Sequence, residues 1–257
     1  EWLFRTPYTS IDQKGFLAFL PYLLTGKLTF PTGQHEQLVA LYHLFRWFAG
    51  FLVVFASYDF VALFISNVGM RLFTTTLVSA GGGLGWLSIT GLPYVTNNRL
   101  PLEFYSPETF GFLSLYGIPH LAMSRALMLW GFVLFAKKKP VVWIGLLWFV
   151  LSFVQPLTVL TGWFYLGIYL VILILTTLID SSKNRKNLVD NFRSEMRSIV
   201  IIAILSSPII IYTFISLKGN IFLRQWANQN ILLSPPIPDY LLSFLLFVPF
   251  IAIGIGK

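Results

Sequence analysis

Cysteine is missing from all 257 residues, which excludes a disulfide framework, a thiol nucleophile and a cysteine-ligated metal. Charge is sparse: Asp, Glu, Lys and Arg make up 11% of the chain, where a soluble domain carries about a quarter. HExxH, GxSxG and any His/carboxylate spacing suited to zinc are also lacking, so no metal site is assigned. No internal repeat with a period of about 20–50 residues stands out, which argues against a solenoid. The period-two alternation of a membrane barrel is absent as well. Apolar sequence fills the space these leave. The chain is 56% hydrophobic and 17% aromatic, and several runs reach the roughly 20 residues that a helix needs to cross a bilayer. In lipid each segment must satisfy its own backbone, which favours helices. The expectation is an all-α, polytopic transmembrane helix bundle.

Seven spans are expected, at 37–66, 70–90, 118–136, 140–155, 157–180, 198–216 and 238–256. They form one membrane domain over residues 1–257, with a tight hairpin at Pro156. The net charge of +8 does not point to nucleic acid, because the basic residues sit in short loops beside spans, where they set orientation. Lys137, Lys138 and Lys139 follow the third span, and Lys183, Arg185, Lys186, Arg193 and Arg197 fill the stretch 181–197. Both stretches are expected on the cytoplasmic side, the second as a loop able to form a short interfacial helix. Residues 1–36, 91–117 and 217–237 then face outward, in a plasma-membrane, multi-pass arrangement. With residue 1 outside, at least one further span is expected upstream of Glu1.

Once oriented, the unusual residues sort to the outer side. Span one opens with "HEQLVALYHLFRWF", which puts His43 and Arg46 on one face. Segment 91–117 holds Glu103 and Glu108, and span three begins with His120 and carries Arg125 about one and a half turns deeper. Ionisable residues near hydrocarbon mark a functional site by default. Each also has a plainer explanation. Arg46 and Arg125 can snorkel to headgroups, His43 can be an ordinary interhelix histidine, and His120 a cap neighbour after Pro119. Glu108 can be a first-turn acid near Pro107, and Asp59 is read as a structural hydrogen-bond partner. "PETFGFLSLYG", 107–117, is too short to cross and is broken from span three at Gly117-Ile118-Pro119, so a short helix or re-entrant element is expected there. "GGGLGW", 81–86, has neither the preceding strand nor the Lys-Ser/Thr of a nucleotide loop, and is read as close packing within a span, with an unwound turn lining a cavity as the alternative.

"EWLFRTPYTS", "LYHLFRW", "GGGLGW", "SPETFGFLSLYGIPHLAMSRALML" and "WANQNILLSPPIPDY" follow one another in an order that covers almost the whole chain. Together they resemble bacterial multi-span proteins related to the GT-C glycosyltransferases, which take a sugar from a polyprenyl-phosphate-sugar donor. The resemblance implies phosphate binding by His120 and Arg125, with Arg46 and His43 beside them. It implies a catalytic carboxylate role for Glu108 towards sugar, metal or acceptor, and sugar recognition by Trp226, Gln229 and Asn230. The acidic residue of the family's first outer loop falls upstream of Glu1. The family includes metal-dependent and metal-independent members, so the cofactor is left open. The partners implied are the donor lipid and the surrounding membrane lipid. Two other functions are weighed: a transporter or flippase for a lipid-linked solute, which would use the same outer cavity, and a non-catalytic membrane subunit, whose aromatic-rich spans would serve only packing.

Overall fold

The structure is a computed structural model that describes residues 2–5, 10, 14–84, 87, 101–106, 108–179, 185–229 and 235–249. Among these the architecture is all-α. In chain order the helices are α1 (Leu20–Lys27), α2 (Gln34–Val61), α3 (Val68–Ala80), α4 (Leu102–Tyr105), α5 (Gly111–Gly117) and α6 (Pro119–Ala136). They continue with α7 (Val141–Val154), α8 (Pro156–Ile179), α9 (Arg185–Gly219), α10 (Ile221–Gln229) and α11 (Ile237–Phe244), which a 3-10 turn extends to Phe247. Extended pairing among the described residues is one antiparallel bridge between Phe4 and Phe16. Four helices are long and apolar enough to cross a membrane: α2, α6, α8 and the Leu188–Gly219 part of α9.

The bundle packs through small residues. Lipid tails are as apolar as leucine side chains, so helices in a bilayer associate where close backbone approach gains dispersion contacts. Ala49, Val53 and Ala56 of α2 meet Ala122 and Ala126 of α6 in one buried cluster. A larger cluster centres on Trp148 of α7, with Leu127, Ile144, Leu151, Val159, Leu166, Ile199 and Ile202 around it. The indole is fully buried because two neighbours lack side chains. A Cβ on Gly131 would stand 2.0 Å from its Nε1, and one on Gly162 would stand 2.8 Å from its Cη2. Polar side chains add cross-links. Trp130 Nε1 donates to Asp59 Oδ2 at 2.9 Å, and Trp163 Nε1 donates to Ser206 Oγ at 3.0 Å. Asp59 thus takes the structural part expected of it.

Two expectations about the elements need correction. The second span, 70–90, does not run as one helix: α3 ends at Ala80, and Gly81, Gly82 and Gly83 leave the helix. Three consecutive glycines each forfeit about 1 kcal/mol of helix propensity, which apolarity alone does not reveal. Gly82, Gly83 and Leu84 unwind and line a cleft with Glu103, Phe104 and Phe112, and Gly83 is closely packed, since a Cβ there would stand 2.3 Å from Ser243 O. The stretch 181–197 is not a separate loop either, since α9 starts at Arg185 and continues for 35 residues. Its buried face runs Glu195, Ile199, Ile202 and Ser206, so the helical stripe extends back through the charged residues. At the seventh expected span, helical conformation runs from Ile237 through the 3-10 turn to residue 249, and 250–257 lie outside the described residues. The break before span three is present: Ile118, at φ −129° and ψ 82°, separates α5 from α6.

The N-terminal segment folds back on the bundle. Leu17 N–H donates to the Tyr212 hydroxyl at 2.8 Å, and Asn220 Nδ2 donates to Lys14 O at 3.3 Å. α1 contacts both α2 and α7.

Candidate functional site

α5 is seven residues long, too short to hold itself by helix propensity. It is held by cationic and aromatic side chains from two neighbours. From α2, the Tyr42 hydroxyl donates to Gly117 O, and Arg46 Nη1 donates to Tyr116 O at 2.8 Å. These are C-terminal carbonyls that a helix cannot satisfy internally. From α6, Arg125 Nη1 donates to Ser114 Oγ at 3.1 Å, and its Nη2 donates to Glu108 O at 2.6 Å. Ser114 is buried and passes its own proton to Gly111 O at 2.8 Å. Arg125 therefore stitches 108–114 onto α6. An unpaired guanidinium at this depth would be costly, and the fork of donors meets that cost with directed bonds.

His120 lies in the first turn of α6, and its Nδ1 is 2.8 Å from the Tyr22 hydroxyl of α1. The two rings meet edge to face at 5.6 Å, and Tyr22 stacks on Tyr42 at 6.3 Å. The Tyr22 phenol is pushed up to about 12, first by burial and then by Tyr42 beside it, against an opposing hydrogen bond from the His120 backbone. It stays protonated through neutral pH, so it can donate to Nδ1 in the His120 tautomer that carries its proton on Nε2. The exposed Glu108 carboxylate lies within electrostatic range of both His120 and Arg125.

Glu108, His120 and Arg125 thus gather around α5, with Arg46 on its other flank. His43 is exposed, and its ring packs edge-on against Tyr42 at 5.8 Å; it shares the site only through that contact. α10 packs on α9, and Gln229 near its end is exposed. The Trp226 side chain and Asn230 lie outside the described residues.

Two acids are buried: Asp239 did not stand out in the sequence, and Glu103 was noted there without its burial. Glu103 of α4 and Asp239 of α11 are each 3% exposed, and their helices pack together. Glu103 Oε2 and Ser243 O each stand 2.3 Å from where a Cβ on Gly83 would be, so the unwound glycines fit against this acid. Asp239 Oδ1 has no hydrogen-bond partner among the described residues. The nearest sequence signal is a proline shortly before each acid, Pro101 and Pro238, which marks a helix start but not burial. The described residues hold no group of three or more His, Asp or Glu side chains placed to bind a metal ion. No protein-family model, curated protein or solved structure matches the chain.

Proposed function

We propose that the protein is a membrane glycosyltransferase that moves a sugar from a polyprenyl-phosphate donor to an acceptor at the outer face, beside α5. The observation that carries this reading is the gathering of Glu108, His120 and Arg125 at the end of the bundle opposite Lys137–Lys139. An acceptor hydroxyl gives its proton to the Glu108 carboxylate as its oxygen bonds to the anomeric carbon. The bond from that carbon to the phosphate oxygen breaks, and polyprenyl phosphate leaves with the electron pair. Arg125, and His120 when protonated, stabilise the charge that gathers on the leaving phosphate. Asp59, the deepest acid in α2, is bonded to Trp130, so it serves packing and not a polar path for a transported solute.

The test is sugar transfer and donor binding by the full-length protein. Glu108→Gln is expected to lower the transfer rate by 100-fold or more, in line with loss of a general base at roughly 10²–10⁴, with donor affinity little changed. Arg125→Ala is expected to weaken donor binding more than Arg125→Lys, which keeps charge but loses the planar fork. Full transfer activity in Glu108→Gln would overturn the assignment.

A further inference from the structure

A second feature lies on the far side of α5 from Arg125. Ser114 faces Arg125, while Leu115 and Tyr116 turn the other way and line a groove of about 390 Å³ against α2. On α2 the groove follows Arg46, Gly50 and Val54, one residue per turn, with Trp47 and Phe51 along its edge. Its floor is open because Gly50 has no side chain, and a Cβ there would meet only Leu115, at 3.5 Å. The groove is therefore an apolar channel parallel to the helix axis, about 12 Å from Arg46 to Val54 at 1.5 Å per residue, with a guanidinium at one end.

Depth places that end. α6 has 18 residues, about 27 Å, close to the roughly 30 Å hydrocarbon thickness. Lys137 follows its last residue, and Tyr116, whose carbonyl holds Arg46, comes just before its first. Arg46 thus sits at headgroup depth and Val54 at chain depth. Among the described residues Arg46 makes one hydrogen bond, to Tyr116 O, which leaves most of its five donors for a ligand. Trp47, Phe51 and Tyr116 are 63%, 57% and 77% exposed, so the groove opens sideways to the bilayer.

We infer that this groove holds one anionic phospholipid of the bilayer, its phosphate on Arg46 and one acyl chain along Gly50, Phe51 and Val54. Positive charge at the head and apolar walls below match that ligand group for group. Bulk phospholipid, the solvent at this surface, fills such a site by mass action. This inference goes beyond the sugar-transfer reading and does not depend on it.

The experiment is native mass spectrometry of the full chain released from phosphatidylglycerol nanodiscs, with phosphatidylcholine nanodiscs alongside. Expected is one phosphatidylglycerol retained per chain, and less phosphatidylcholine. Arg46→Gln is expected to lower retention about tenfold or more, as for loss of hydrogen bonds to a charged partner. Gly50→Leu, which fills the floor, is expected to do the same while leaving the guanidinium in place. Val54→Trp, at the lower end, serves if Gly50→Leu does not fold. Retention unchanged in Arg46→Gln and in the groove-filling variant overturns the site. So does stoichiometric displacement of phosphatidylglycerol by added undecaprenyl phosphate, which would make the groove the seat of the donor's chain. Sugar transfer is not read in this experiment, so its failure leaves the function of Glu108 and Arg125 to their own assay.

Discussion

Tyr22 and His120 show how a single contact ties the short helix α1 to the start of α6. With its phenol pushed up to about 12, Tyr22 prefers to stay protonated in the folded protein. Its folded value lies above the ordinary value of about 10. The stability this contributes is therefore fully present below about pH 10 and is lost as pH rises towards 12. The expected outcome is that Tyr22→Phe removes a phenolate transition seen above pH 11, measured by ultraviolet absorbance against the native chain. It should also flatten the loss of thermal stability between pH 10 and 12. A transition removed near pH 10 would show that the phenol is not desolvated. At this scale the sequence was partly legible. The Pro119-His120 pair marked an outer site, but its partner is 98 residues away, and no local pattern names it. Arg125 was legible as a cation needing partners. That those partners are a serine hydroxyl and a backbone carbonyl of one short segment depends on a fold of the chain that spacing does not encode.

Elements were legible where backbone chemistry sets them. Pro119 restricts Ile118 and removes a backbone donor, so the separation of α5 from α6 was readable. Helix α3 was overextended because apolarity and helix propensity diverge at Gly81-Gly82-Gly83. Helix α9 was cut short because its first residues are charged, although the face carrying Glu195 and Ile199 keeps the same period. Lys138 forms an ion pair with Glu195, tying the end of α6 to this region of α9. The packing of α6 on α7 makes its own prediction. Since a Cβ on Gly131 would stand 2.0 Å from Trp148 Nε1, Gly131→Ala must displace the indole or part the helices. The expected cost is about 1–3 kcal/mol, measured by thermal unfolding in detergent. Adding Trp148→Phe should recover part of that loss, because the smaller ring vacates the clash. A double-variant loss equal to the sum of the Gly131→Ala and Trp148→Phe losses would mean that the two residues are not coupled.

For the molecule as a whole, hydropathy gave the class, and the basic residues give an orientation to test. A single cysteine at Thr32, in an otherwise cysteine-free chain, is expected to react with an impermeant reagent added outside. One at Lys139 is expected to react only after the membrane is opened. The reverse pattern would invert the molecule and move α5 to the other face. The packing of α10 on α9 was beyond sequence reading, since it depends on how two segments of the chain settle together.

The bond between Leu17 and Tyr212 also sets a timetable. Its two ends are 195 residues apart, and ribosomes add about 5–20 residues per second. For about 10 to 40 s after Leu17 is made, the segment that ends at α1 has no Tyr212 to close against. Until then Leu17 N–H and the Lys14 carbonyl lack the Tyr212 and Asn220 partners they have in the folded chain, so this contact can close only after α9 has been made.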